Sequence, residues 1–145
     1  MRDIPFRPGP PDESRPMPAS VPAGTRLELS RAKIIPGQEA EAEAWMRMLN
    51  DRLDEAVATL PAERAPLQAS FLHREADGSL WLYHLSFVSE ERPDYEPHMT
   101  DIDRAHASFG ARVKMPGWEE LRPVLMLTPD HIRDALVRWA ETGRQ

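Results

Sequence analysis

The chain has 145 residues, enough for one domain with a single core. Its net charge is -6, and its basic residues are scattered among acidic ones, whereas a phosphate-tracking surface needs clustered lysine and arginine. Nucleic acid is therefore not an expected partner, and the absence of cysteine excludes disulfides, thiolate metal sites and a cysteine nucleophile.

Residues 1–24 hold seven of the fifteen prolines. Such a stretch lacks the backbone donors for regular structure, so it reads as a proline-rich N-terminal arm with Ile4, Phe6, Met17 and Val21 as its apolar anchors. Residues 25–145 then form a single domain. The opening Met1-Arg2-Asp3-Ile4-Pro5 lacks the apolar stretch of a secretory signal, and no run reaches the ~18 apolar residues of a membrane helix. A cytoplasmic protein with no membrane partner is expected.

Thr25 to Ile35 reads as a strand, because Leu27-Glu28-Leu29-Ser30 alternates, and Pro36-Gly37 ends it. Gln38 to Leu60 repeats apolar residues at helical spacing through Ala42, Met46, Leu49, Leu53 and Val57. Leu67 to Ser89 contains two β-rich runs around Ala76-Asp77-Gly78-Ser79, and Asp-Gly suits a two-residue type I′ turn. That turn places Phe71 opposite His84 and His73 opposite Leu82. It also puts His73 and His84 on one face.

Thr100 then caps a helix carrying Ile102, Ala105, His106, Phe109 and Val113 on one stripe. Glu120 to Leu127 reads as a fourth strand covered on both sides, since Val124-Leu125-Met126-Leu127 is apolar without alternation. Thr128-Pro129 opens a last helix that buries Ile132, Ala135, Leu136 and Trp139, and Gly143 closes it. The implied fold class is α+β, a ferredoxin-like βαββαβ unit with an antiparallel sheet and an extra C-terminal helix.

The hairpin is greasy on both faces. Trp81, Tyr83, Leu85 and Phe87 project one way, while Leu80 and Leu82 project the other, joined by Ala69 and Phe71. Helices cover one face, and leaving large apolar side chains wet forfeits roughly 1.5–3 kcal/mol each. A homodimer packed through the sheet is the expected cover for the second face. The alternative is that the C-terminal helix or the arm folds across it.

Three segments resemble a family of small bacterial proteins classed only as a domain of unknown function. They are Leu27-Glu28-Leu29-Ser30-Arg31-Ala32-Lys33-Ile34-Ile35-Pro36-Gly37, His73-Arg74-Glu75-Ala76-Asp77-Gly78-Ser79-Leu80-Trp81, and Pro116-Gly117-Trp118-Glu119-Glu120-Leu121. By element order that family is similar to the dimeric α/β-barrel superfamily, which includes antibiotic-biosynthesis-type monooxygenases, cyclases and isomerases that work without a cofactor. The resemblance implies a ligand cavity between sheet and helices. It carries over no catalytic residue, since the superfamily shares no catalytic motif.

His73 and His84 are the catalytic candidates, because an imidazole titrates near neutrality and can move a proton. Each is otherwise a solvent-facing or satisfied core histidine. His106, on an apolar stripe, either hydrogen-bonds in the core or faces a cavity. Arg31, in phase with Leu27 and Leu29, either anchors a carboxylate or enolate ligand or pairs with an acid. Tyr83 is a further orienting group. Together Arg31, Tyr83 and His106 make up the expected substrate-binding set. Trp45, Trp118 and Trp139 either line a planar-ligand pocket or fill core.

His73, Glu75 and His84 superficially offer two histidines and a carboxylate to a metal, but such spacing arises by chance, and no metal is expected. GxGxxG, P-loop and GxSxG motifs are all missing from the sequence, so no cofactor is expected either. The functional expectation is a small-molecule-binding protein that acts on a small apolar metabolite as a cofactor-independent cyclase, isomerase or monooxygenase-like enzyme. The alternatives are a non-catalytic dimeric ligand-binding protein and a partner-docking protein.

Overall fold

A computed structural model describes residues 16–97 and 99–144. Strand β1 (Thr25–Lys33) is followed by helices α1 (Glu39–Asp51), α2 (Leu53–Val57) and α3 (Leu60–Glu63). Strands β2 (Leu67–Arg74) and β3 (Leu80–Ser89) form the hairpin, and α4 (Asp101–Val113), β4 (Glu119–Leu121) and α5 (Asp130–Thr142) complete the chain. The four strands form one sheet in the order β2-β3-β1-β4, with every neighbouring pair antiparallel. The fold is α+β.

The arm's anchors Ile4 and Phe6 lie outside the described residues. Val21 is buried, and Ser20 ties the end of the arm to the C-terminal part of the chain. Its carbonyl accepts from Arg133 Nη1, and its Oγ accepts from the Met126 N–H, both at 2.9 Å.

The hairpin register differs by one residue from the sequence expectation. Phe71 opposes Tyr83, Ser70 opposes His84, and His73 opposes Trp81. The turn is the cause. Gly78 alone adopts positive φ, at 87°, and its N–H donates to the Glu75 carbonyl, so Ala76-Asp77-Gly78 form a three-residue loop closed by Glu75 N–H to Ser79 O. Asp77 stays at negative φ because its Oδ1 accepts from both the N–H and the hydroxyl of Ser79, a local bond that a type I′ turn would break.

Opposed residues share a face, so one slip changes face membership. Ala69 and Phe71 join Trp81, Tyr83, Leu85 and Phe87 instead of Leu80 and Leu82. His73 and His84 fall on opposite faces.

Helices α1 and α4 pack on the face of Leu80 and Leu82, where Ile34, Ala42, Trp45 and Val113 complete the core. Trp45 is 2% exposed, and its ring stacks parallel to Phe109 with centroids 6.5 Å apart. A reciprocal capping box between Thr100 and Asp103 starts α4. The long helix anticipated from Gln38 to Leu60 breaks at Arg52, after Asn50 and Asp51, whose side chains compete with helical backbone. Leu53 and Val57 consequently stand exposed rather than continuing the buried stripe.

The fourth strand is shorter than anticipated. β4 ends at Leu121, and residues 122–129 leave the sheet because Pro123 has no N–H to give the ladder. Val124, Leu125 and Leu127 are 68%, 59% and 79% exposed, the reverse of a strand covered on both sides. In α5 only Ala140 is fully buried, while Ile132 and Ala135 are exposed, and the helix starts at Asp130 after Pro129 rather than at a Thr128 cap.

The face turned away from α1 and α4 is nevertheless not bare. Phe87 and Trp81 are buried within the single chain, and the Arg31 guanidinium lies over the Trp81 ring at 4.1 Å. The large apolar side chains that stay exposed on the hairpin strands are Phe71 and Leu67.

The end of α5 docks beside Arg64, a buried residue at φ 54° whose Nη2 donates to Asp94 Oδ2 at 2.6 Å. Gly143 caps α5 at φ 68°, and a Cβ there would come within 2.8 Å of the Pro61 carbonyl and 2.9 Å of Arg64 Nη1. Gly143→Ala is expected to cost roughly 1–3 kcal/mol, from a left-handed backbone and a clash that backbone must absorb. A urea midpoint unchanged from wild type would refute the close approach.

Candidate functional site

Each strand presents one phase of its side chains to α1 and α4. At one end of the sheet that phase is apolar, with Ala32 and Ile34 on β1 and Leu80 and Leu82 on β3. Toward the other end it turns polar in every strand at once: Arg26, Glu28 and Ser30 on β1, His84 and Ser86 on β3, Gln68 and Ser70 on β2, Glu120 on β4. Polar groups cannot fill a dry core without partners, so the packing opens there. The result is a cavity of about 420 Å³, to whose lining Trp118, Tyr95 and His106 also contribute.

His84 is half-buried in this wall, with Ser70 Oγ 3.3 Å from its Nδ1. Burial, followed by the Lys114 charge, lowers its pKa. His106 is exposed overall, but its Nδ1 accepts the Trp45 indole N–H at 2.9 Å. An indole only donates, so that nitrogen must be unprotonated. Burial, with Lys114 and His84 adding like charge, brings the His106 pKa down to about 4.

Glu28 is raised by burial, against the pull of Arg26, whose Nε lies 3.3 Å from Glu28 Oε1. Nearby Glu120 adds to the rise. Glu63, also on the cavity wall, is raised by burial too. The cavity thus joins two histidines that hold a second proton less tightly than usual to carboxyls that hold theirs more tightly. That combination brings the proton affinities of imidazole and carboxyl closer together than they are in water.

Of the residues singled out from sequence, His84 and His106 meet in this cavity. Arg31 and Tyr83 belong to a separate cluster on the opposite face. There Arg31 Nη1 reaches Glu75 at 2.9 Å and the Tyr83 hydroxyl at 3.3 Å, while Nε donates to Glu119 at 2.9 Å. Arg31 therefore pairs with acids rather than presenting its fork to the cavity. His73 is exposed on that same far face. Trp45 is core, Trp118 lines the cavity, and among the described residues no three His, Asp or Glu side chains group as a metal site.

Sequence reasoning passed over Arg26, Glu28, Ser30, Glu120 and Lys114. The signal was present: β1 switches its polar phase from even to odd positions between Ser30 and Arg31, and a strand that does so has a wet end and a dry end on one face.

The class these features define is an α+β protein with a four-stranded antiparallel sheet and a cavity of mixed polar and apolar walls on one of its faces. The chain belongs to a family of unknown function, DUF6176, whose family model matches residues 25–134. No curated protein matches it. Among the described residues, no helix is long and apolar enough to cross a membrane.

Proposed function

We propose that this is a cytoplasmic, homodimeric small-molecule-binding protein that performs cofactor-independent acid–base chemistry in the cavity between sheet and helices. The observation that carries the reading is the roughly 420 Å³ space into which His84, His106 and Glu28 converge from separate elements. His84 is the proton-transfer group, because His106 is tied to Trp45 as an acceptor. The mixed walls favour a substrate with an apolar body and one or two polar groups, such as an enolisable ketone, over a pure hydrocarbon.

The strand order β2-β3-β1-β4, with antiparallel neighbours throughout, supports a ferredoxin-like arrangement. The unpaired run 122–129, with its exposed leucines, supports pairing of two copies into a dimeric α/β barrel. Non-catalytic binding is the second reading, favoured by the locked Nδ1 of His106.

Deuterium uptake by 2-tetralone in heavy water tests the chemistry without a known substrate. The protein is expected to accelerate exchange by about 100-fold or more over buffer, and His84→Ala to remove most of that rate. Saturable binding of 2-tetralone with no exchange would establish the binding reading instead. No binding and no exchange would overturn both.

A further inference from the structure

Strand β2 is one edge of the sheet, and among the described residues no strand pairs with its outer side. Which of its backbone groups stand open follows from the alternation of an antiparallel ladder. The Leu80 carbonyl accepts the Ile34 N–H, so even residues of β3 bond toward β1 and odd ones toward β2. Their bonded partners on β2 are Ala69, Phe71 and His73. The N–H and C=O groups of Gln68, Ser70, Leu72 and Arg74 therefore point outward.

Protein edges are usually blunted by charge, proline or a bulge. From Leu67 to Leu72 there is no charged residue and no proline, and the register against β3 runs unbroken. Leu67 and Phe71 are 45% and 54% exposed along this stretch.

We propose that this edge pairs with the same edge of a second copy, antiparallel about a two-fold axis at Phe71, joining two four-stranded sheets into one of eight. Opposed residues share a face, so a two-fold pair can only match odd with odd and even with even. Centring on Phe71 sets Ser70 against Leu72 and Gln68 against Arg74 as hydrogen-bonded pairs. Phe71 then meets its own copy at the closer, non-hydrogen-bonded spacing, where an aromatic pair is favourable.

Charge selects the same alignment. Glu63 accepts from the Gln68 amide at 2.7 Å, and Arg74 donates to the neutral Gly78 carbonyl. Among the described residues neither makes an ion pair within the chain. Placing Arg74 of each copy opposite Gln68 of the other brings it within a side chain's reach of Glu63, twice across the axis. Centring on Ser70 instead would set Arg74 against Pro66 and Phe71 against Ala69, losing both matches. A single strand pair is smaller than a permanent interface, so a dissociation constant of about 0.1–1 mM is expected. The contact is separate from the run after β4 and does not depend on the reading above.

The test uses the full chain carrying Leu125→Asp and Leu127→Asp, in which that run cannot pair, raised from about 20 µM to about 1 mM and followed by NMR. The amide protons of Ser70 and Leu72 are expected to move downfield along one saturating curve, with Ala69 and His73 moving less, because only the even N–H groups gain an acceptor. Phe71→Lys, a charge at an exposed site, is expected to weaken the association by about tenfold or more. Arg74→Glu should weaken it by about fivefold, and adding Glu63→Lys should restore it to within about twofold. Equal shifts at odd and even positions, association indifferent to Phe71→Lys, or none by about 1 mM would each overturn the pairing.

Discussion

Trp45→Ala is expected to lower stability by about 3–5 kcal/mol, a large share of the roughly 5–15 kcal/mol that holds a domain together. Trp45 is at once the largest fully buried side chain, the ring stacked on Phe109, and the donor to His106. Removing it leaves a hole that α1 and α4 cannot close without abandoning Ala42 and Val113. Chemical denaturation measures the loss, and a change below about 1 kcal/mol would contradict this packing.

Trp45→Phe separates the hydrogen bond from the volume. Without the indole N–H, Nδ1 can take a proton without giving up that hydrogen bond, so the His106 pKa is expected to rise above about 4, while burial and the Lys114 charge still hold it below its ordinary 6.5. The sign of the linked stability follows from that depression. In wild type, the contribution of His106 is fully present above 6.5, where folded and unfolded forms are both neutral, and it is lost as pH falls toward about 4 because the unfolded chain takes up the proton first.

Glu28 and Glu63 act oppositely. Their raised values give a contribution present below the ordinary 4.5 and lost as pH rises through the folded values. The difference between Trp45→Phe and wild type, measured by denaturation at each pH, isolates His106. The variant should lose less stability on acidification. An NMR midpoint for His106 unchanged in the variant would show that the indole does not hold its proton off.

The second large effect concerns the run after β4. Leu125→Asp combined with Leu127→Asp is expected to weaken self-association by about 100-fold or more, because two large side chains each worth roughly 1.5–3 kcal/mol on burial are replaced by charges. Both leucines already face outward in the single chain, so circular dichroism should not change. Sedimentation velocity at micromolar concentration reads the result. A wild-type monomer, or a variant that associates as before, would remove the dimer and leave Val124, Leu125 and Leu127 as surface without a cover.

Much of the element pattern was legible. The polar N-cap Thr100, the stop at Pro36-Gly37 and the αL glycine at 143 each act within a few residues, so sequence alone locates them. The hairpin register was not legible. Asp77-Gly78 is compatible with two loop lengths, and the choice fell to hydrogen bonds from Ser79 that compete with the type I′ geometry. That one residue separated His73 from His84 and moved Phe71 to the other face.

The candidate site followed the same division. His84 and His106 were visible as titratable side chains in apolar surroundings. Arg26, Glu28 and Ser30 were hidden, because on an isolated strand the polar phase reads as the solvent side. In fact their phase is the one shared with Ala32, Leu82 and His84 on the helix-covered face, and Leu27 and Leu29 alternate to the other phase.

From sequence alone came the α+β class, the positions of most elements and the exclusion of thiol chemistry, since these depend on residue type and short-range spacing. Tertiary structure decided which histidines meet, which face of β1 is wet, and that Arg31 is spent on Glu75 and Glu119. Those outcomes depend on how strands align across tens of residues. Alternation within one strand has two phases and no means of choosing between them until a neighbour is in place.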